Sequence, residues 1–322
     1  MKSVLIVGAG QLGSRHLQAL RSIQEPLAIQ VIDPSPEALN TAKERYNSIP
    51  GVDHPVEFHS SLDSAKKKLD LVINASSARA RRGILEKLLE KSEIKYLVLE
   101  KILFTAPEDY VAIEKLVNQK ATQTWVNCCM RQMLPYRQIQ KEVTGKRVHM
   151  TVTGSQYGLV TNAIHYFDYL AWLAGSSKFK VSTDGLDNVP IPSKRPGYLE
   201  LNGTLTAQFE NGCSGTVTCF PSENLPILVE IHSPSSRFIV RESERKLWTS
   251  PRDSSSGWSE TDVVIPYQSQ LTAELARALF ESGRCALPTL KESIDIHLSL
   301  LNPLCAHLEK NKITTEVPFP FT

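Results

Sequence analysis

The stretch Gly8-Ala9-Gly10-Gln11-Leu12-Gly13 decides the fold of the first part of this 322-residue chain. It follows an apolar run, Ser3 to Val7, and precedes leucines at helical spacing, so it lies between a strand and a helix. In such a unit the first glycine permits the tight turn, the second lets the backbone approach a pyrophosphate, and the third lets helix and strand pack closely. The unpaired N–H groups that begin the helix face the phosphates. The stretch therefore predicts a dinucleotide site.

An acidic residue ends the second predicted strand, at the distance that this site requires. Asp33 stands 20 residues after Gly13. A carboxylate there accepts hydrogen bonds from the adenosine ribose hydroxyls and repels a 2′-phosphate, so it favours NAD over NADP. The alternative is a glycine-rich turn that binds no ligand.

The order of predicted elements changes along the chain. Strands and helices alternate through the first third, which predicts an α/β fold with a doubly wound parallel sheet of the Rossmann type. After about residue 145, strands follow one another with period-2 alternation, which predicts an α+β domain with a large, mostly antiparallel open sheet. We place a dinucleotide-binding domain at 1–126 and a substrate-binding and oligomerisation domain at 127–322, whose C-terminal helices can pack back on the first. The Ser-rich stretch 249–260 is predicted as an exposed loop.

Composition excludes several partners and compartments. The 36 basic and 34 acidic residues nearly cancel, so nothing favours nucleic acid or an anionic membrane. No apolar run reaches the roughly 18 residues of a membrane helix. The six cysteines form no Cys-x-x-Cys pair, so we expect no metal site and a cytoplasmic location. The predicted antiparallel sheet is too large for a single helix to cover. A face buried between subunits would explain this, so we expect a homo-oligomer, a dimer or tetramer.

Five landmarks occur in order along the chain: Gly8-x-Gly10-x-x-Gly13-x-x-His16; Glu100-Lys101 after a strand; Asn127 with Arg131 and Pro135; His165-Tyr166-Phe167-Asp168; and Leu287-Pro288-Thr289 with His297. Together they resemble the Gfo/Idh/MocA family, the group of glucose-fructose oxidoreductase and inositol dehydrogenase. The resemblance covers essentially the whole chain. It implies a Rossmann domain followed by an α/β domain whose open sheet often serves oligomerisation.

The resemblance implies an NAD-dependent oxidoreductase that transfers a hydride between nicotinamide and a secondary alcohol of a sugar or sugar derivative. Lys101 and His165 are the expected catalytic residues: the lysine would hydrogen-bond the reacting oxygen, and the histidine would exchange its proton. The cofactor-binding set is Gly8, Gly10, Gln11, Leu12, Gly13, Asp33, Ser76 and Glu100. The substrate-binding set is Arg131, Tyr157, Thr161 and Asn162. A structural alternative exists for several of these, such as a salt-bridged Arg131 or a packed helix histidine at position 165.

The chain departs from the family at two positions. Ile102 stands where the family usually has proline, and Thr161 stands where many members carry aspartate, four residues before His165. The family's Lys-Asp-His trio is therefore incomplete. This departure leaves open a non-catalytic NAD-binding regulator, and a reductase of another unsaturated substrate is a further alternative. A cluster at Arg79, Arg81 and Arg82 suggests an anionic substrate, such as a nucleotide sugar or sugar acid; its alternative is a solvated face paired with Glu86 and Glu90.

Overall fold

The computed structural model describes residues 1–250 and 257–322, which form two compact units. The first unit comprises Met1–Cys129 and Pro266–Lys291, and the second comprises Met130–Ile265 and Glu292–Thr322. Part of the stretch predicted as a Ser-rich loop, 251–256, lies outside the described residues.

The regular elements are as follows. The α-helices are α1 (Gln11–Leu20), α2 (Pro36–Asn47), α3 (Ala78–Lys91), α4 (Pro107–Gln119), α5 (Leu134–Val143), α6 (Leu159–Ala174), α7 (Gln268–Ser282) and α8 (Leu290–Lys310). The strands are β1 (Lys2–Val7), β2 (Leu27–Ile32), β3 (Val56–His59), β4 (Lys68–Asn74), β5 (Glu93–Leu99), β6 (Gln123–Val126), β7 (His149–Ser155), β8 (Lys180–Leu186), β9 (Ile191–Pro192), β10 (Leu199–Glu200), β11 (Gly203–Gln208), β12 (Ser214–Phe220), β13 (Leu228–His232), β14 (Arg237–Arg241), β15 (Lys246–Ser250) and β16 (Ser259–Asp262). Short 3-10 turns occur at Leu62–Ser64, Cys129–Gln132 and Glu242–Glu244.

The first unit is built on a parallel sheet with strand order β3-β2-β1-β4-β5-β6. Residues Val4, Leu5 and Ile6 of β1 are fully buried, because helices cover both faces of a doubly wound sheet. The α7 helix packs against α1 and adds Leu275 and Leu279 to the apolar core. The strand order reverses between β1 and β4, and ligands bind at the carboxyl ends of strands at such a point. The predicted Rossmann sheet is therefore confirmed.

The second unit is built on an eight-stranded sheet with order β16-β15-β14-β13-β7-β12-β11-β8. Only β7 and β12 pair in parallel; the other neighbours are antiparallel. Met150 and Val152 of β7 are fully buried while the alternating Thr151 and Thr153 are half-buried, so one face of this strand belongs to the core. The α6 helix packs on β12. The predicted mostly antiparallel sheet is confirmed.

Two predicted elements differ from those observed. In the sequence, 199–209 favours one strand, since Leu205, Ala207 and Phe209 alternate with Thr206 and Gln208. In the structure this stretch divides into β10, which forms a small hairpin with β9, and β11, which joins the large sheet. Gly203 allows the division, because its φ is +101° and a Cβ there would lie 2.4 Å from the carbonyl oxygen of Gly185. The sequence favours a helix over about 164–174, and the observed helix α6 begins five residues earlier, at Leu159. None of the helices within the described ranges has both the length and the apolar character needed to cross a bilayer.

Candidate functional site

The glycine-rich turn between β1 and α1 is packed tightly at its ends and open in its middle. Gly8 has a φ of +92°, and a Cβ there would lie 2.9 Å from the carbonyl carbon of Ala75. A Cβ on Gly13 would lie 1.8 Å from the carbonyl oxygen of Gly8. A Cβ on Gly10, by contrast, would meet no heavy atom within 4 Å. The first and third glycines are thus required by the protein, while space beside the second is left for a ligand.

A cavity of about 560 Å³, here named the cofactor cavity, opens beside this turn. Its lining includes Gly8, Gly10, Asp33, Ser60, Asp63, Ala75, Ser76, Ile84 and Lys87. The carboxylate oxygens of Asp33 accept hydrogen bonds from the backbone N–H groups of Ala9, at 2.7 Å, and Ser35, at 2.8 Å. Since each carboxylate oxygen offers about two lone-pair positions, Asp33 can still accept hydrogen bonds from ribose hydroxyls. The unobstructed backbone at Gly10 and the hydrogen-bonded carboxylate of Asp33 together fit a dinucleotide.

The other predicted cofactor residues occupy different surroundings. Gln11 is exposed in the first turn of α1, and its side-chain oxygen accepts a hydrogen bond from Arg45 at 2.7 Å. Leu12 follows it and is half-buried. Ser76 lies in the cofactor cavity, where its hydroxyl donates to the side-chain oxygen of Asn74 at 2.5 Å.

Glu100 belongs to a buried polar network rather than to the cavity lining. Its Oε1 atom lies 2.9 Å from Nε2 of His16 and 2.6 Å from the amide nitrogen of Asn127. The other ring nitrogen of His16 lies 2.8 Å from the hydroxyl of Thr272. Burial raises the pKa of Glu100, but the hydrogen bonds from His16 and Asn127 and the charge of Lys101 outweigh it and lower that pKa to about 2. The network thus connects four separated segments around an ionised carboxylate.

This low pKa predicts a pH dependence of stability. A carboxyl group whose pKa is lower in the folded state stabilises the protein above its unfolded pKa, and the contribution is lost as pH falls through the folded value. For Glu100 this pH window runs from the ordinary pKa of 4.5 down to the folded-state pKa of about 2. Over this pH range we expect the free energy of unfolding of the wild type to fall by about 3 kcal/mol more than that of Glu100→Gln. Urea unfolding at several pH values measures the difference, with the exposed Glu90→Gln as control; parallel curves for wild type and Glu100→Gln would contradict the assignment.

Lys101 follows the carboxyl end of β5 and is only 8% exposed. Its peptide bond to Ile102, the position where the family has proline, is cis. The guanidinium of Arg81 donates to the carbonyl oxygens of Ile102 at 2.5 Å and Leu103 at 2.6 Å, and to that of Ser76 at 2.5 Å. Arg81 therefore joins the segment after β4 to the segment after β5, both at the edge of the sheet that holds the cofactor cavity.

The arginine cluster at the start of α3 does not support the prediction that it faces an anionic substrate. Arg81 is 1% exposed and holds backbone carbonyls. Arg82 pairs with Glu86 at 3.0 Å and with Asp109 at 2.5 Å. Arg79 is exposed. The alternative of protein-internal pairing is correct for Arg82, because acidic side chains lie one helical turn away and on α4.

In the second unit, Thr161 and His165 lie on α6, half-buried and four residues apart, so they share one face. The N-terminus of α6 is capped by a carboxylate that lies far away in the sequence. Glu200 accepts hydrogen bonds from the backbone N–H groups of Val160 at 2.5 Å and Thr161 at 3.2 Å. These N–H groups belong to the first turn of α6, so Glu200 caps the helix from 40 residues away.

Tyr157 and Asn162, both predicted to bind substrate, stabilise the entry to α6. The hydroxyl of Tyr157 donates to the carbonyl oxygen of Thr218 at 3.0 Å. Burial raises the pKa of Tyr157 far above its usual value, so its phenol stays protonated at neutral pH. The amide nitrogen of Asn162 donates to the carbonyl oxygens of Tyr157 at 2.7 Å and Gly158 at 3.0 Å.

A cavity of about 370 Å³, here named the α6 cavity, opens at the N-terminal end of this helix. Its lining includes Tyr157, Gly158, Thr161, Ile191, Ser193, Lys194, Arg195, Glu200, Asn202 and Thr322. Sequence reasoning identified Tyr157 and Thr161 but missed Glu200, Lys194 and Arg195. The only signal available for them was a Lys-Arg pair in a turn between predicted strands, because a cap supplied from 40 residues away leaves no local pattern.

Arg131, predicted to bind substrate, pairs with a buried carboxylate of the protein. Its Nε and Nη2 atoms donate to the two carboxylate oxygens of Asp168 at 2.9 and 2.8 Å, and both residues are buried. Burial raises the pKa of Asp168, and the guanidinium opposes that rise, so the carboxylate stays ionised at neutral pH. This geometry supports a structural role for Arg131, which we propose beside the predicted substrate-binding role.

Comparison with known proteins gives a family match for the N-terminal part of the first unit. Residues 2–128 match the family model for the Gfo/Idh/MocA oxidoreductases, described as an oxidoreductase family with an NAD-binding Rossmann fold. This match confirms the resemblance and the NAD cofactor inferred from the glycine-rich turn. No curated protein matches the sequence significantly.

Solved structures share the fold over nearly the whole chain. UDP-N-acetylglucosamine 3-dehydrogenase GnnA from Acidithiobacillus ferrooxidans is 13% identical, with a TM-score of 0.70 over 94% of this chain and 96% of that one. An oxidoreductase from Agrobacterium radiobacter, in complex with NAD+, L-tartaric acid and magnesium, is 12% identical, with a TM-score of 0.69 over 93% and 94%. A super-repressor mutant of Gal80p from Saccharomyces cerevisiae is 14% identical, with a TM-score of 0.71 over 96% of each chain. At these identities the similarity concerns the fold alone.

Proposed function

Because residues 2–128 match the model of the Gfo/Idh/MocA oxidoreductases with its NAD-binding Rossmann fold, we propose that this protein transfers a hydride between NAD and a secondary alcohol of a sugar or sugar derivative. The observation that carries the proposal is the glycine-rich turn, closed at Gly8 and Gly13 and open at Gly10, beside the carboxylate of Asp33. Bound NAD supplies the hydride acceptor. The fold of GnnA, a nucleotide-sugar dehydrogenase by name, supports the sugar substrate by analogy.

The first unit provides the cofactor site and one catalytic group. Gly10 allows the backbone at the start of α1 to approach the pyrophosphate, and Asp33 accepts hydrogen bonds from the ribose. Lys101 donates a hydrogen bond to the reacting oxygen and favours its anionic form. Glu100 lies next to it in the chain, fixed by His16 and Asn127, so we propose that this network holds the end of β5 in place for Lys101.

The second unit provides the group that exchanges a proton with the substrate. His165 lies half-buried on α6, and a free histidine titrates near neutral pH, as a general base requires. It accepts the hydroxyl proton in oxidation and returns it in reduction. Thr161, one turn earlier, has no carboxylate to extend this proton path.

Replacing either catalytic residue should lower turnover more than it lowers NAD binding. We expect Lys101→Met and His165→Ala to reduce kcat by about 10² to 10⁴, since each removes a group that acts on the reacting oxygen or its proton. NAD affinity, followed by fluorescence of the reduced form, should change less than threefold. Lys95→Met, on the exposed side of the same strand β5, is the matched control for Lys101. Unchanged kcat in both variants would refute the assignment of these residues.

A regulator that binds NAD without turnover is the second candidate, favoured by the threonine at position 161. The experiment that separates the two is a screen of sugars, sugar acids and nucleotide sugars with NAD, read as reduced nicotinamide absorbance. NAD binding with no turnover of any compound would support the regulator. Turnover of a substrate with a carbon–carbon or carbon–nitrogen double bond, and of no alcohol, would support a reductase of another kind.

A further inference from the structure

A small basic hairpin forms one wall of the α6 cavity. Strands β9 and β10 pair antiparallel, and the loop between them carries Lys194 and Arg195, both exposed and both lining the cavity. One guanidinium nitrogen of Arg195 donates to the hydroxyl of Thr322 at 2.8 Å, which orients the side chain and leaves other N–H donors for a ligand. Within residues 1–250 and 257–322, neither cation forms an ion pair with a carboxylate. The hairpin thus places two positive charges at the cavity.

A carboxylate held by backbone N–H groups also lines this cavity. Glu200 is 5% exposed and lines the cavity, and besides Val160 and Thr161 it accepts a hydrogen bond from the backbone N–H of Leu201 at 3.1 Å. The N-terminus of a helix otherwise attracts anions. Because Glu200 already occupies that position on α6, an anionic ligand group is repelled from the helix and attracted to the hairpin.

Glu200 also retains the capacity to bind a hydroxyl group. A carboxylate offers about four acceptor positions, and three backbone N–H groups occupy three of them. The fourth acceptor position, on Oε2, stays accessible because residue 158 is glycine. A Cβ on Gly158 would lie 3.1 Å from that oxygen. A ligand hydroxyl can therefore donate to Glu200 from within the cavity.

We propose that the α6 cavity binds a monosaccharide-sized polyol that bears a carboxylate or phosphate, with its hydroxyl groups on Glu200 and its anionic group on Lys194 and Arg195. The volume, about 370 Å³, is at the lower end of the usual range for ligand cavities and fits a sugar acid or sugar phosphate better than a whole nucleotide sugar. The identification of this ligand as the substrate rests on the proposed function. The proposal that the ligand binds in the α6 cavity is independent of it.

Calorimetry on the full chain tests the binding directly, without turnover. D-Glucuronate, D-glucose 6-phosphate and neutral D-glucose are titrated into the wild type and into the double variant Lys194→Met/Arg195→Met. We expect the double variant to bind the anionic sugars at least about tenfold more weakly, since two charge-assisted hydrogen bonds are lost, and to bind glucose as the wild type does. Lys178→Met, an exposed lysine of the same unit outside the cavity, is the matched control and should bind all three as the wild type does.

The outcomes separate the two anion chemistries and the two proposals. Binding of glucuronate alone assigns the site to carboxylates, and binding of the phosphate ester alone assigns it to phosphates. Failure of both to bind the wild type, or an equal loss for glucose in the double variant, overturns the inference. Glu200→Gln should weaken all three sugars, with an unfolding curve to separate this effect from loss of the α6 cap. Reduction of NAD by other alcohols, in the absence of such binding, would leave the proposed function standing while refuting this site.

Discussion

Gly10→Ala should weaken NAD binding by about 100-fold, the equivalent of roughly 3 kcal/mol, and leave the NAD-free protein almost as stable as the wild type. The added methyl group meets no protein atom within 4 Å, so it costs the fold little. It occupies the space through which a pyrophosphate approaches the backbone. Loss of the better N-cap residue should cost under about 1 kcal/mol. Titration with NAD and urea unfolding of the NAD-free protein measure the two quantities separately.

Gly13→Ala provides the contrast within the same turn. A Cβ there would lie 1.8 Å from the carbonyl oxygen of Gly8, so the backbone itself must move. We expect about 3 kcal/mol or more of destabilisation together with weakened NAD binding. Gly83→Ala, on the exposed face of α3 with open space around its Cβ, is the control and should stabilise by about 0.5 to 1 kcal/mol. NAD affinity unaltered by Gly10→Ala would show that the dinucleotide does not bind at this turn.

Arg131→Met should destabilise the protein by about 3 to 5 kcal/mol, because it leaves the carboxylate of Asp168 buried without its cation. The loss should be larger at pH 8 than at pH 5, since protonation of Asp168 relieves the unpaired charge and burial already raises the pKa of that carboxyl. Thermal or urea unfolding at both pH values measures this dependence.

Two further variants show whether the Arg131–Asp168 pair is structural. Arg131→Met/Asp168→Leu should recover much of the stability, since replacing both partners by apolar groups leaves no buried charge. Arg82→Met, which removes a half-exposed cation of α3, should cost under about 1 kcal/mol. A rise in KM for substrate without loss of stability in Arg131→Met would instead support the substrate-binding role that the sequence suggested.

The sequence predicts secondary-structure elements better than it predicts the hydrogen-bond and ion-pair partners of individual side chains. The strand Ser214–Phe220 follows from the alternation of its threonines with Val217 and Cys219, and the β1–α1 turn follows from its glycine spacing. Both patterns repeat over a few neighbouring residues. The role of Arg131 does not follow, because its partner lies 37 residues further along the chain and either a substrate or a carboxylate could satisfy a guanidinium.

Local spacing by itself thus determined the parallel sheet, the glycine-rich turn and the NAD cofactor, since steric limits on φ and the period of buried side chains act between close neighbours. Tertiary structure alone decided where α6 begins, which side chains hold Glu100, and which cations face the α6 cavity. The start of α6 is fixed by Glu200, 40 residues away, and the ionised state of Glu100 by His16, 84 residues away. Buried polar groups need hydrogen-bond partners, and the fold can bring those partners from any part of the chain. Local sequence spacing therefore does not predict them.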